Sequence, residues 1–116
     1  MPWIVLFHDA FEPEFAGLDE AMQNALLIET ALLERFGPTL GRPHVDTLKG
    51  SKHRNMKELR IRTPDGVWRF AFAFDPRRRA VILVGGDKSG VAEGRFYRQL
   101  IKRADDRLDR WLEQEA

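Results

Sequence analysis

The stretch Leu48–Gly86 reads LKGSKHRNMKELRIRTPDGVWRFAFAFDPRRRAVILVGG, a basic loop followed by three strand-like runs. The first run is Met56–Arg62. In the second, Val67–Phe74, aromatic residues alternate with arginine and alanine, and this period of two is typical of a strand with two unlike faces. The third, Ala80–Val84, is apolar throughout, which indicates a strand covered on both faces. Turn-forming residues separate the runs, at Pro64-Asp65-Gly66 and at Asp75-Pro76. The segment therefore predicts an antiparallel three-stranded meander.

The two faces of this meander differ in chemistry. If Trp68 and the following phenylalanines enter the core, Arg69 points to the other face between two alanines. On the first strand, the matching register brings three charged residues to that same face, Glu58, Arg60 and Arg62, and a slip of one residue would exchange the faces. Leu59, Ile61 and the stem of Lys57 would then join the core. The charged face is either a solvated outer surface or a surface with room for a ligand beside Arg69.

The flanking segments predict one more strand and three helices. Five apolar residues, Trp3–Phe7, predict a strand buried on both sides that joins the meander as its fourth member. A short helix should start at a cap on Asp9 and stop near Gly17, and a longer one should run from a cap on Asp19 to Phe36, before Gly37-Pro38. Its core stripe is predicted at Ala21, Ala25, Ile28, Leu32 and Phe36, widened by Met22, Leu26 and Leu33.

Irregular sequence links these elements to the meander and to the last helix. Thr39–Leu48 lacks periodicity and should be a surface connection to the basic loop Lys49–Asn55. Gly85–Gly90 lacks the spacing of a phosphate-binding P-loop. The last helix should run from about Ala92 to Leu112, with a core face at Tyr97, Ile101, Ala104, Leu108 and Trp111 or Leu112. The predicted fold class is α+β, with the N-terminal strand, a two-helix hairpin, the meander in a mixed sheet with strand 1, and a C-terminal helix.

Composition excludes several classes of protein. The 116 residues, 43% apolar and 32% charged, predict a single domain over residues 1–116. The chain has no cysteine, which excludes disulfides and thiolate metal sites and favours a cytoplasmic location. No apolar run approaches the roughly 18 residues of a membrane span. The three histidines lack ligand spacing, so neither a metal nor another cofactor is expected.

The net charge of +1 conceals an asymmetry. Residues 49–103 contain fifteen Lys and Arg against five acids, whereas the segments before and after them are acidic. This basic middle predicts a polyanionic partner such as RNA, or an acidic protein. Nucleophile motifs such as GxSxG are absent. Arginine, lysine, histidine and tyrosine around a sheet suit phosphodiester cleavage without a metal, in which the 2′-OH of RNA is the nucleophile.

A set of short motifs adds a resemblance that covers nearly the whole chain and is specific in its order and spacing. The motifs are Gly37-Pro38, Leu40, Arg42-Pro43, Leu48-Lys49-Gly50-Ser51, Lys57-Glu58-Leu59-Arg60, Trp68-Arg69-Phe70, Phe74-Asp75-Pro76, Leu83-Val84-Gly85-Gly86-Asp87-Lys88, Phe96-Tyr97, Ile101 and Ala104-Asp105. In this order they resemble the RelE/ParE superfamily of bacterial type II toxins, and most closely its HigB-like, phage-related branch.

The resemblance implies a toxin that cleaves mRNA on the ribosome and so inhibits translation. It implies a cognate helix-turn-helix antitoxin, and contact with operator DNA only through that antitoxin. Carried over by position, it implies catalytic roles for Arg69, Arg60, Lys88 and Tyr97. The paired lysines of some members correspond here to Met56 and Glu58, so the general base is expected to be either Glu58 or His53.

Further basic residues are expected to bind RNA: Lys49, Lys52, Arg54, Lys57 and Arg62. On this basis Arg69→Ala should abolish growth arrest without unfolding the protein. Two other functions fit the same fold, a ParE-like inhibitor of DNA gyrase and a non-catalytic module that binds RNA or protein.

Overall fold

The computed structural model describes residues 2–64 and 66–115. Its elements, in chain order, are β1 (Ile4–Phe7), α1 (Phe11–Ala16), α2 (Glu20–Phe36), β2 (Val45–Thr47), β3 (Met56–Thr63), β4 (Gly66–Phe74), β5 (Arg79–Asp87) and α3 (Glu93–Gln114). The strands form one sheet in the order β1-β5-β4-β3-β2, in which β1 is parallel to β5 and the other pairs are antiparallel. The predicted α+β class and the meander are confirmed. Asp65, in the predicted first turn, lies outside the described residues.

The sheet is covered on both faces, so it separates two apolar clusters. Residues of α1 and α2 pack with Leu59, Phe70 and Phe72 on one face. Residues of α3 pack on the other face against Ala71 and Ala73, among others. The hypothesis that this second face is a solvated surface is therefore wrong. The small alanine side chains of β4 allow α3 to approach the sheet closely, and charged residues lie at the two ends of this face, at Arg69 and at the Asp75–Arg79 pair against Trp111.

The register of β3 against β4 is the predicted one. Arg60 is the cross-strand partner of Arg69, and Leu59 is the partner of Phe70. Leu59 and Ile61 are buried in the cluster under α2, so the alternate residues of β3 face α3. This alternation places the charged residues of two strands side by side.

A bulge in β5 shifts the faces of its second half. Ala71 pairs with Val84 whereas Phe72 pairs with Ile82, so Leu83 is an extra residue. Leu83 and Val84 consequently both pack on the α3 side, as a bulge allows. The carbonyl oxygen of Leu83 accepts a hydrogen bond of 2.7 Å from Nη1 of Arg107 on α3. This extra residue shifts the alternation of β5 by one position. Gly86 rather than Gly85 therefore lies on the face of Arg69.

Two predictions about the strands need correction. The N-terminal strand does join the sheet, but it is an edge strand with only β5 as a neighbour, and Ile4 is 57% exposed. It is therefore not buried on both sides. The supposed surface connection Thr39–Leu48 contains β2, which pairs with β3 over Val45–Thr47. Three residues are too few to show a period, so no local pattern indicates this strand.

The helix predictions also need correction in detail. Asp19 does cap α2, accepting a hydrogen bond from the Met22 amide at 2.8 Å, and Gly37 terminates it with a positive φ of 55°. The residue before α1 is Ala10 rather than Asp9, and no side chain caps it. The buried stripe of α2 is Met22, Leu26, Thr30 and Leu33, of which Met22, Leu26 and Leu33 were predicted only to widen the stripe. In α3 the predicted Ala104, Leu108 and Trp111 are buried, but Phe96 and Leu100 take the places predicted for Tyr97 and Ile101.

The α2 stripe was misplaced because apolar residues occur all around this helix. Ile28, which was predicted to be in the core, is 64% exposed, and Phe36 is exposed as well. Periodicity alone therefore could not choose the buried face. Among the described residues, no helix is both long enough and apolar enough to cross a membrane.

Candidate active site

A buried carboxylate, Glu58, is the centre of a polar cluster between the sheet and α3. Only 3% of Glu58 is exposed. Its Oε1 accepts hydrogen bonds from Nε of Arg60 at 3.0 Å and from the hydroxyl of Tyr97 at 3.3 Å. Nε of Arg69 lies 3.6 Å from the same oxygen. These four residues, Glu58, Arg60, Arg69 and Tyr97, are called the Glu58 cluster below.

The elements of the fold explain why the cluster forms at this end of the sheet. Glu58 and Arg60 are alternate residues of β3, and Arg69 is opposite Arg60 on β4. On β5 the partner of Arg69 is Gly86. A side chain at Gly86 would come within 3.1 Å of the Phe96 ring, so the glycine lets the first turns of α3 lie close to the sheet. Tyr97, the next residue along α3, thereby reaches Glu58.

Arg69 and Arg60 differ in their access to solvent. Arg69 is only 6% exposed; its Nη1 donates to the carbonyl of Trp68, and its buried Nε has no hydrogen-bond partner among the described residues. The side chain of Arg60 is 34% exposed. It also bonds Asp46 of β2 through Nη2 at 3.0 Å. Arg60 is therefore the arginine of the cluster that a ligand could contact, whereas Arg69 is a fixed charge behind it.

Burial and neighbouring charges perturb two titrating groups of the cluster. The pKa of Tyr97 is raised, first by burial and then by the negative charge of Glu58, with Arg69 opposing the shift. The hydrogen bond to Glu58 raises the pKa of Arg60 further above its ordinary value. Tyr97 is thus a proton donor, not a phenolate, throughout the neutral pH range.

Lys88 lies beside the cluster, as the resemblance implied. Its ammonium is 5.7 Å from the centroid of the Tyr97 ring and pairs with Glu93 at the start of α3 at 2.8 Å. This contact lowers the pKa of the Glu93 carboxyl. The pair is at the surface, where an ion pair contributes little free energy. A ligand phosphate could therefore replace Glu93 as the partner of Lys88.

His53 is not part of the Glu58 cluster. Its Nε2 lies 2.9 Å from Oδ1 of Asp109 on α3. Tyr97 and Asp109 are 12 positions apart on α3, which separates their backbones by about 18 Å along the helix axis. Lys52 also pairs with Asp109, and Ser51 donates to Asp105. The basic loop is therefore attached to the second half of α3, away from the cluster.

The predicted RNA-binding residues fall in three places. Lys49 and Lys52 line a groove between the basic loop and α3, and Arg54 is exposed on the same loop. Lys57 points to the opposite face from Arg69 and donates to Oγ1 of Thr47 on β2. Arg62 is exposed at the far end of β3, in a cleft against the start of α2. The loop residues lie against α3, whereas Lys57 lies on the opposite face of the sheet.

Sequence reasoning missed the acidic partners of these cations. Asp46 pairs with Arg60, Glu93 with Lys88, and Asp109 with Lys52 and His53. Asp46 and Asp109 are distant in sequence from the groups they bind, so no local pattern indicated the pairing. Glu93, five residues after Lys88 across a glycine-containing turn, was the one partner that local sequence could have suggested. In residues 2–64 and 66–115, no three His, Asp or Glu side chains are placed to hold a metal ion.

The arrangement can bind an anion and move a proton. A phosphate that approaches Arg60 and Lys88 would lie beside the hydroxyl of Tyr97, with the charge of Arg69 behind it. Glu58 accepts a hydrogen bond from the Tyr97 hydroxyl, so the two residues form a pair that can donate and accept protons. These are the groups needed for phosphodiester cleavage, and they are already positioned by the sheet and α3.

Comparison with known proteins gives consistent results. A family model described as phage-derived protein Gp49-like matches residues 13–109. HigB3 of Mycobacterium tuberculosis, named as a candidate toxin, is 52% identical over 85 residues, which cover 72% of this chain and 71% of that protein. HigB2 of the same organism, named likewise, is 41% identical over 99 residues, which cover 84% of this chain. That alignment covers 49% of HigB2, so the chain spans about half the length of this relative.

Solved structures share the fold at low sequence identity. A mutant of the Escherichia coli toxin RelE in its free state superposes with a TM-score of 0.59 and 13% identity, covering 89% of this chain and 98% of that one. A chain of the archaeal RelE–RelB complex from Pyrococcus horikoshii superposes with a TM-score of 0.57 and 19% identity. The match covers 78% of this chain and 100% of that one. These two comparisons establish the architecture alone.

Proposed function

The chain belongs to the Gp49-like family of HigB/RelE-type proteins, and from that premise we propose that it is the toxin of a type II toxin–antitoxin system. We propose further that it is an endoribonuclease, which cleaves mRNA in the ribosome and so inhibits translation. The observation that supports this activity is the Glu58 cluster, a buried carboxylate in contact with two arginines and a protonated tyrosine.

The two arginines stabilise the phosphate in different ways. Arg60, which reaches solvent, would exchange part of its contact with Asp46 for the non-bridging oxygens of the scissile phosphate. A guanidinium can hold two such oxygens at once. Arg69 stays behind it as a preorganised charge in a site of low water content, where charge that develops in the transition state is stabilised most. Lys88 supplies a third cation at the rim.

Proton transfer can be assigned so that all protons balance. Glu58 takes the proton from the 2′-OH, and the resulting oxyanion attacks the adjacent phosphorus and breaks the bond to the 5′-oxygen. Tyr97, which is protonated at neutral pH as an ordinary tyrosine is, gives its proton to that leaving oxygen. The proton on Glu58 then returns to the phenolate across their 3.3 Å contact. The products are a 2′,3′-cyclic phosphate and a free 5′-hydroxyl.

Of the two candidate bases, Glu58 is the better placed. It contacts both Tyr97 and Arg60, whereas His53 is held by Asp109 at the other half of α3. A base must be within hydrogen-bond reach of the proton that it removes. His53, with Lys52, instead attaches the basic loop to the helix through Asp109.

Partners follow from the same proposal. The toxin would act on ribosome-bound mRNA in the cytoplasm, and it would be neutralised by a cognate helix-turn-helix antitoxin. Operator DNA would be contacted only through that antitoxin. The Pyrococcus horikoshii relative was solved as a RelE–RelB complex, which supports a partner protein for this fold. The proposed domain comprises residues 1–116.

Primer extension on an mRNA in a purified translation system tests the activity. Wild type should produce cuts only when ribosomes are present. Tyr97→Phe, which removes one hydroxyl, should cut at least 100-fold more slowly, as expected on losing a proton donor. Arg35→Ala is the matched control, because Arg35 is exposed on α2, on the other side of the sheet.

Three results would contradict parts of the proposal. Full activity of Tyr97→Phe would remove the tyrosine from the chemistry. A folded wild type that makes no cuts would favour the other candidates, and a DNA supercoiling assay would then separate a gyrase inhibitor from a non-catalytic binding module. Cuts without ribosomes would refute the ribosome dependence while retaining the nuclease.

A further inference from the structure

A groove of about 700 Å³ runs between the basic loop and α3, and of its lining residues the proposed chemistry uses Tyr97 alone. One wall is formed by Lys49, Gly50 and Lys52, and the other by the exposed side of α3 from Gly94 onward. Its size falls in the range of ligand-binding clefts. The contacts of Ser51 and Lys52 with α3 hold the two walls at a fixed separation.

Three cations of this groove have no partner in the described part of the chain. Lys49, Arg98 and Lys102 line it and form no ion pair or side-chain hydrogen bond among residues 2–64 and 66–115. In contrast, Lys52 is paired with Asp109. Of the two acidic residues in the lining, Asp105 already accepts from Ser51 and from the Lys52 amide, and Asp106 is one negative charge against these three cations. The groove thus offers unpaired positive charge, which favours a polyanion.

The groove is continuous with the Glu58 cluster through Tyr97. Tyr97 lines the groove, and its hydroxyl contacts Glu58 at 3.3 Å. The apolar Ile101, one helical turn after Tyr97, also lines the groove. Gly50 and Gly94 line it too, and they leave space because they have no side chains. The mouth is therefore aromatic, the surface beyond it is apolar and open, and the flanks are cationic. That combination suits the bases and phosphates of a single strand.

We propose that this groove binds the nucleotides of a single-stranded RNA next to the scissile phosphate. The inference rests on the proposed function, because it places that phosphate at the Glu58 cluster. Lys49, Arg98 and Lys102 bind successive phosphates, and a base packs on Ile101 beside the Tyr97 ring. The groove would thereby fix the register of the strand relative to the cluster, and with it the position of the cut.

Binding can be measured without catalysis. The probe is a short, fluorescently labelled 2′-O-methyl RNA, which lacks the 2′-OH nucleophile and cannot be cleaved, and the readout is anisotropy as a function of salt. For single strands the logarithm of the affinity falls with the logarithm of the salt concentration by about 0.7 per phosphate contact. Lys102→Gln and Arg98→Gln should each weaken binding and lower that slope by about 0.7.

Gly94→Leu gives an independent steric test. Gly94 is exposed in the first turn of α3, and a Cβ there would meet only the terminal Nη1 of Arg98, at 3.2 Å. Leucine is a better helix former than glycine, so the fold should be retained. We expect at least tenfold weaker binding of the probe, because the side chain fills the groove. Ala31→Leu, on the exposed face of α2, adds a similar side chain elsewhere and should bind normally.

The outcomes separate this inference from the proposed function. Unchanged binding and unchanged salt slope in the groove variants, with cleavage intact in wild type, would overturn the groove and retain the nuclease. Groove-dependent binding by a protein that cuts no mRNA would overturn the nuclease and retain the groove. If a polyglutamate peptide bound more tightly than the RNA and was lost in the same variants, the groove would belong to an acidic protein partner instead, and the RNA assignment would be wrong.

Discussion

Replacing Arg69 with alanine should destabilise the fold as well as the site. Arg69 is almost fully buried, with Nε 3.6 Å from Glu58, so its removal leaves a buried carboxylate with less compensating charge. Removing one partner of a buried ion pair costs about 3–5 kcal/mol. Glu58 keeps Arg60 at 3.0 Å and Tyr97 at 3.3 Å, and repulsion between the two facing arginines is relieved. We therefore expect the lower end, a loss of about 3 kcal/mol.

Urea unfolding followed by tryptophan fluorescence would measure this loss. With a denaturant slope of about 2 kcal/mol per molar for a protein of this size, the midpoint should fall by about 1.5 M. A double-mutant cycle with Glu58→Gln isolates the electrostatic part: the Arg69→Ala/Glu58→Gln protein should be more stable than the sum of the single losses predicts, by at least about 1 kcal/mol. The control Arg35→Ala should change stability by less than about 0.5 kcal/mol.

Additive single losses would refute this account, because they would mean that Glu58 and Arg69 do not interact across 3.6 Å. A midpoint unchanged in Arg69→Ala would show that the buried charge is compensated by groups other than these. The expectation that Arg69→Ala abolishes growth arrest without unfolding the protein thus needs a stability measurement beside it. Tyr97→Phe is the cleaner probe of catalysis.

Three further predictions concern Tyr97 and one strand glycine. Tyr97→Phe loses one hydrogen bond and should cost only about 1 kcal/mol of unfolding free energy, measured by urea unfolding, so a loss of cleavage in this variant cannot be attributed to misfolding. Tyr97 is the only tyrosine, so the ultraviolet absorbance of tyrosinate reports its pKa directly. In the folded protein this pKa should lie above the value of about 10 found in unfolded chains, and Glu58→Gln should lower it. A folded pKa at or below about 10 would contradict the buried contact. The sign for stability follows, since a raised folded pKa means that the contribution of Tyr97 is fully present below about pH 10 and is lost as the pH rises through the folded pKa. Gly85→Ala should cost about 1–3 kcal/mol because the added methyl overlaps the Phe70 ring, and a thermal melt identical to that of wild type would show that the ring can move aside.

The parts of the fold that sequence predicts well are those where pattern and turn chemistry agree. In β4 the alternation of aromatic and small residues fixed both the strand and the face of Arg69, and the register of Glu58 and Arg60 followed from it. Asp19 and Gly37 defined the ends of α2, because a cap and a positive φ have local chemical requirements. Each of these features depends on residues close together in the chain.

The parts that sequence missed depend on tertiary contacts. The buried face of α2 could not be chosen from a helix that is apolar on several sides, and β2 is too short to carry a pattern. Nothing local indicates that Asp109 holds His53, or that α3 covers the alanine side of β4 and buries Arg69. Sequence thus predicted that Glu58, Arg60 and Arg69 share a face but did not predict their depth, and it is depth that leaves Arg60 more exposed than Arg69.

The extra residue in β5 also bears on how relatives of this chain can diverge. Pairing with β1 ends at Ile82, before the bulge, so losing Leu83 would leave the core half of the strand in place. Beyond it Val84 would follow Ile82 directly and keep Ala71 as its partner, and Gly86 would keep Arg69, so every residue would stay on its present face. The deletion would instead remove the Leu83 carbonyl that accepts a hydrogen bond from Arg107 on α3. Relatives could therefore lose this residue without changing which side chains surround Glu58, and the loss would fall on the attachment of the last helix.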